Sequence, residues 1–337
     1  MIVTLTGAYR NVGDHLIGDR ALRLLKDYVE EDIISIDRKD IQAQTYDLFD
    51  KAQTIILCGG PAYQSNIYPD IYPLDLDKIT TKVVPLGLGW KGGLHETPQE
   101  FRFSPNAESF IRKLHNSIEF SSCRDHRTVD VLSQLQIDNA LMTGCPAWFD
   151  LNCSQQNFET RSLENIVVSD AALDTRTCLA VIRHVADRFP SARLTFALHH
   201  GYYPRLGRKG ASFAAQHMLA AAYAKARGFK IRNLSSDLNA MKNLYDSCNL
   251  HVGYRVHAHI YCLSARTASI LISEDSRGIA QSEALKCPIR RSDDADLIEQ
   301  LDGDIASVLD NSATHFSGTL AAMQEALDTM KFFLRSI

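Results

Sequence analysis

Short apolar runs recur along this chain, and most of them end on a glycine or a polar loop. The first, residues 2–6, runs straight into a turn-rich stretch at 7–14. Leu22, Leu25 and Val29 then follow at helical spacing, which predicts a helix over about 16–29. Further strands are expected at 33–36, at 54–58 before Gly59-Gly60, at 82–86 before Gly87-Leu88-Gly89, at 118–122, and at 140–143 before Gly144. Strands that are apolar throughout suit a parallel sheet covered on both faces, and such sheets gather their ligands in the loops at the carboxyl ends of their strands.

Residues 150–165 are polar and without period, and read as a linker. A second series follows: strand 166–169, helix 177–189, strand 194–198, a helix through 218–227, strand 230–233 and helix 239–247. Strand 250–252 then leads to Gly253, a helical stretch at 257–264 and strand 269–272. Leu320, Met323, Leu327, Met330 and Phe333 mark an amphipathic terminal helix. The expected architecture is α/β, with two doubly wound Rossmann-like domains facing across a cleft. Residues 1–153 form the first and 162–315 the second, and a C-terminal helix at 318–337 packs back on the first.

A length of 337 residues fits two domains. Hydrophobic residues at 45% and charged residues at 23% are ordinary for a globular protein. The net charge of −4 argues against the broad cationic surface a nucleic-acid binder needs, so no nucleic-acid partner is expected. Eight cysteines lie scattered without a C-x-x-C pair, as expected of reduced, buried thiols in a cytoplasmic protein. No apolar stretch reaches the roughly 20 residues of a membrane span, and the first residues lack the pattern of a secretion signal. A lipid-linked substrate would be met at the membrane surface.

The segment Gly253-Tyr254-Arg255-Val256-His257 joins a predicted strand to a predicted helix. Helix-opening amides favour an anion, the Arg255 fork suits carboxylate or phosphate, and His257 could transfer a proton. An Arg and a His satisfying a domain interface would look the same. Residues 199–201 and the basic stretch with Arg205, Arg208 and Lys209 read as a solvated surface loop or, alternatively, a mobile cover over an anionic substrate. His251 and His259 are expected to be structural, since no carboxylate framework accompanies them and a metal site is not indicated. Tyr63, Tyr68, Tyr72, Trp90 and Trp148 lie in or near strand-end loops, where rings either stack on sugars or pack. Residues 87–93 lack a dinucleotide fingerprint in register, so no cofactor is expected.

Taken together, these segments resemble the polysaccharide pyruvyl transferase family. The Arg255-x-His257 pair matches its Arg-x-His motif, and Asn11-Val12-Gly13-Asp14 its N-x-G-D opening. Gly59-Gly60 is similar to its glycine-rich loop, Ser122-Cys123-Arg124-Asp125 to S-x-R-D/E and Gly144-Cys145-Pro146-Ala147 to G-D-P-A. Residues 273–278 stand where the family carries Y-D-x-K. The order is shared over about residues 1–290. Cys145 stands in place of an acid, Glu274 and Arg277 in place of Tyr and Lys, and Pro61 in place of a third glycine.

The resemblance implies a GT-B-like fold and pyruvyl transfer from phosphoenolpyruvate to sugar hydroxyls as a ketal, in cell-surface or exopolysaccharide biosynthesis. The acceptor would be a saccharide, lipid- or nucleotide-linked or free. His257 and Asp14 would be the catalytic pair, Asp14 being alternatively the helix N-cap. Arg255, Arg124, Asn11, Gly13, Gly59, Gly60, Gly253, Glu274 and Arg277 would bind substrates, the donor on the C-terminal side and the acceptor on the N-terminal side. Two alternatives remain at this stage: a GT-B-type glycosyltransferase using a nucleotide sugar, and a non-catalytic carbohydrate-binding or scaffold protein.

Overall fold

A computed structural model of the chain describes residues 1–7, 11–202 and 208–337. Strands and helices alternate in the first half: β1 (Ile2–Thr6), α1 (Val12–Tyr28), β2 (Ile33–Asp37), α2 (Thr45–Phe49), β3 (Thr54–Cys58), β4 (Lys82–Leu86), α3 (Pro105–Asn116), β5 (Ser121–Cys123), α4 (His126–Ser133) and β6 (Ala140–Met142). The second half continues with β7 (Asn165–Ser169), α5 (Thr175–Arg188), β8 (Arg193–Leu198), α6 (Arg208–Ala226), β9 (Lys230–Asn233), α7 (Leu238–Asp246) and β10 (Leu250–Gly253). It closes with α8 (Val256–Ser264), β11 (Ala268–Leu271), α9 (Ser276–Ala284), α10 (Leu297–His315) and α11 (Ser317–Leu334).

The first sheet is parallel in the order β2-β1-β3-β4. The β5-β6 pair extends it through a bridge between Leu88 and Cys123. Successive strand residues face opposite ways. Ile55 and Leu57 accordingly join one core with Tyr63 and Trp90, while Ile56 and Cys58 join another that runs on into the second half. The second sheet is parallel in the order β11-β10-β7-β8-β9. From β7 the chain winds outward through β8 and β9, then returns to β10 on the other side. The carboxyl ends of β7 and β10 therefore flank a topological switch point, the place where such sheets bind ligands.

Local sequence explains the helices. In α5 Asp174 caps the start by accepting from the Thr177 amide, and Cys178, Val181, Ile182 and Val185 form the buried stripe. The two halves are tied together by Lys242–Asp19 at 2.8 Å, a bidentate Arg127–Glu283 pair and the Trp148 indole donating to Gln281 at 2.8 Å. At the chain's end, Phe332 of α11 lies 5.5 Å from the Phe120 ring and Lys82 reaches the Ser336 carbonyl, so this helix rests on the first half.

Three expectations need correction. The first helix begins at Val12, because Asn11 rather than Asp14 is its cap, its side chain accepting from the Gly13 amide at 3.1 Å. The strand expected at 118–122 is shorter and later, Ser121–Cys123. Helices α2, α3, α4, α9 and α10 went unanticipated, although α3 carries a Ser104 cap, Pro105 in its first turn and buried residues at 107, 110, 111 and 114. Among the described residues no helix is long and apolar enough to cross a membrane.

Candidate active site

The site is built where β7 and β10 end. Gly253 adopts φ +150°, and a side chain there would meet Ser169 within 2.8 Å, so only glycine lets the two strand ends close. The chain then turns through Tyr254 into α8, whose cap is Arg255 with no side-chain bond to its first amides. Ser169 Oγ accepts from the amides of Tyr254 (3.0 Å) and Arg255 (3.2 Å). Asp170, 1% exposed, takes the Arg255 guanidinium in two bonds, Nε–Oδ1 2.7 Å and Nη2–Oδ2 2.6 Å. The same carboxylate accepts from the His199 amide and faces His217 of α6 at 3.1 Å. These partners, Arg255 foremost, outweigh its burial and hold its pKa far below the usual carboxylate range.

A cavity of about 420 Å3 opens in front of this turn. His199, His200, Tyr254, Arg255 and His257 line one wall; Ser273, Glu274, Asp275 and Arg277 form a second; Asn11 and 91–94 close it from the first half. Of the residues singled out in the sequence, Asn11, Arg255, His257, Glu274 and Arg277 meet here. Gly13 stands just behind: a Cβ on it would lie 2.3 Å from His257 Nδ1, so its bareness lets the openings of α1 and α8 abut.

His257 is 9% exposed, and among the described residues neither ring nitrogen has a hydrogen-bond partner. Burial, then the positive charges of Arg124 and Arg277, lower its pKa to about 3, so the ring is neutral near pH 7. Asp14 shows the opposite shift. Burial raises it to about 6, against Arg38, the Asn11 amide that donates to Oδ2 at 3.1 Å, and Arg277.

Several roles differ from those expected. Glu274 lines the cavity, but its carboxylate accepts from the amides of Ala172, Leu173 and Asp174 at 2.7–2.8 Å, bracing the loop that opens α5. Arg277 is held by Asp275 through Nε and Nη2. Arg124 lies behind the wall, 2% exposed, donating to the Trp90 carbonyl and Asp125. Gly59 and Gly60 do not line the cavity: Gly59, at φ +59°, packs on Ile17, and Gly60 accepts from the Gly89 amide. Tyr63, Tyr72, Trp90 and Trp148 are fully buried packing elements. Residues 199–201 are not a solvated loop, since His199 is 1% exposed and bonds Tyr245. Arg205 lies outside the described residues, as do the side chains of Arg208 and Lys209. His251 and His259, by contrast, are structural as expected, both bonded to Ser269.

Sequence reasoning missed Asp170, Ser169, His217 and Asp275. Ser169-Asp170 ends a predicted strand as Arg255 does, and that shared position was the available signal.

The fold is shared with proteins that differ widely in sequence. The S. aureus MnaA–UDP structure aligns with 100% of this chain and 97% of its own, at 10% identity and a TM-score of 0.57. N. meningitidis UDP-GlcNAc 2-epimerase bound to UDP-GlcNAc aligns over 98% and 99% at 11% identity and 0.56. A trehalose-6-phosphate synthase aligns over 100% and 99% at 10% identity and 0.56. These are GT-B folds, and so is this one. No curated protein matches the chain. The family model for polysaccharide pyruvyl transferase matches residues 11–276, from the cap of α1 to the start of α9, and the chain belongs to that family.

Proposed function

We propose that this transferase moves a pyruvyl group from phosphoenolpyruvate to two hydroxyls of a sugar, forming a ketal and releasing phosphate, in the synthesis of a cell-surface or exopolysaccharide. The observation that carries the reading is His257: a neutral imidazole with both nitrogens unpartnered among the described residues, one residue into α8, in the same cavity wall as Arg255.

Phosphoenolpyruvate is a small anion with a carboxylate and a phosphate, and leaving water requires several charged donors. Arg255 and Arg277 supply two guanidinium forks. The bound anion would raise the His257 pKa, so a proton would enter with the donor. In the first step a sugar oxygen bonds to the central carbon of the enol while the double-bond electrons take the His257 proton at the methylene carbon, making a methyl group. Asp14, which stands behind Asn11 rather than in the cavity lining and has a buried Oδ1 without a partner, would accept the hydroxyl proton. In the second step the other hydroxyl bonds to the same carbon, the carbon–oxygen bond to phosphate breaks, and phosphate leaves with a proton. Residues 1–153, with the C-terminal helix, would then hold the acceptor and residues 162–315 the donor.

A glycosyltransferase using a nucleotide sugar is the competing reading on this fold. The amides of Ala172, Leu173 and Asp174, in the loop that leads into α5, are bonded to Glu274 and so are not offered to a diphosphate, which favours the smaller donor. Melting shifts separate the two readings: stabilisation by phosphoenolpyruvate and none by UDP-sugars supports pyruvyl transfer, and the reverse pattern removes it.

A further inference from the structure

The hydrogen bonds behind the Arg255 turn run in one series, and their partners fix its direction. A serine oxygen has two lone pairs and one proton. Both lone pairs of Ser169 Oγ are taken by the amides of Tyr254 and Arg255. Its proton therefore goes to the remaining neighbour, His251 Nε2 at 2.9 Å. Burial keeps His251 neutral, so its own proton sits on Nδ1 and is donated to Ser269 Oγ at 2.7 Å. Ser269 in turn donates to His259 Nδ1 at 2.8 Å. His259 Nε2 ends the series, buried and without a partner. The side chain of Arg255 is fixed as firmly. Asp170 occupies the Nε–Nη2 edge, which leaves Nη1 and the second Nη2 proton as the edge available to a ligand.

We infer that Ser169 and Asp170 are a positioning pair for donor recognition: Ser169, backed by His251, Ser269 and His259, sets the backbone of the turn, and Asp170 turns the end-on fork of Arg255 toward the cavity. The inference rests on Arg255 clamping the donor's anionic group. Neither residue touches the donor. Asp275 holds Arg277 by the same Nε–Nη2 edge across the cavity, so the two forks are presented alike.

The test uses the full chain with Asp170→Asn and Ser169→Ala. Asparagine keeps the shape but not the two-acceptor carboxylate, and alanine leaves two amides without an acceptor. Each variant is expected to raise KM for phosphoenolpyruvate about 10- to 100-fold with kcat within about 3-fold, the range lost with a charged or doubly used hydrogen bond. A purely structural role would lower the melting temperature without that split. Unchanged KM in folded variants overturns the inference. Nitrogen-15 NMR of the wild-type histidines decides independently of turnover and of variant folding. The expected result is a neutral His251 with its proton on Nδ1 and a neutral His259 with its proton on Nε2; a proton on His251 Nε2 contradicts the assigned direction. Failure of the wild type to bind phosphoenolpyruvate would remove the proposed function, whereas the histidine tautomers would still report on the series.

Discussion

At the scale of single residues, the cavity wall carries arginines whose charges are already matched and histidines, His199, His200 and His257, kept neutral by burial. Arg124, Arg255 and Arg277 each face an aspartate, Asp125, Asp170 and Asp275 respectively. The positive charge that accompanies an anionic donor must therefore come partly from protons taken up on binding. His257, lowered to about 3 by burial and by Arg124 and Arg277, is the group best placed to gain one. Its pKa rises when the anion binds, so affinity for phosphoenolpyruvate should fall as pH rises from about 3 toward the bound-state pKa and level off above it. Calorimetry in two buffers of different ionisation enthalpy should show net proton uptake near neutrality; proton release would contradict it. His257→Ala should lower kcat about 10²- to 10⁴-fold, the usual contribution of a positioned acid, and should also abolish the proton uptake and weaken phosphoenolpyruvate binding below the bound-state pKa. Arg255 and His257 were legible in the sequence because they stand at a strand-to-helix turn. Asp170 was not, because what makes it part of the site is a contact with a residue 85 positions away.

At the scale of elements, the close approach of α1 and α8 decides the geometry. Gly13 in the first turn of α1 leaves room for the His257 ring, and Gly89 does the same for the Arg124 guanidinium, which lies 1.8 Å from where a Cβ would stand. Gly13→Ala should therefore displace His257. The expected outcome is a loss of kcat approaching that of His257→Ala, with a stability cost of about 1–3 kcal/mol from overpacking, read from chemical denaturation beside kinetics. Normal turnover would show that His257 does not work in the position seen here. Short apolar runs ending on glycines or polar loops made both sheets readable, since every strand but β5 falls within one residue of expectation. The α1 boundary was missed because two capping residues, Asn11 and Asp14, lie three apart and only the structure shows which one accepts the amide bond.

At the scale of the whole molecule, the chain buries an unusual set of neutral histidines. His199, His200, His257 and His259 are lowered to about 3 and His115 to about 4, in each case chiefly by burial. The unfolded chain protonates these rings near pH 6.5 and the folded chain does not, so the unfolded state binds more protons below that pH. Each such ring then lowers stability by up to ~1.4 kcal/mol per pH unit as the pH falls from about 6.5 toward its folded value. Asp14, raised to about 6, acts in the opposite sense between about 4 and 6, and so does His217, raised by Asp170 against its burial, above about 6.5, as two groups against several. The urea midpoint should accordingly drop between pH 7 and pH 5; a constant midpoint would mean that the rings are not buried as described.

The two halves meet in one cavity, and the reaction assigned to it gives a direct readout. The deciding measurement is phosphate release from phosphoenolpyruvate by the purified chain across a panel of saccharide acceptors, with the product examined for a pyruvyl ketal. The expected result is acceptor-dependent release of one phosphate per ketal formed, lost in His257→Ala. Binding of UDP-sugars with neither binding nor turnover of phosphoenolpyruvate would contradict it.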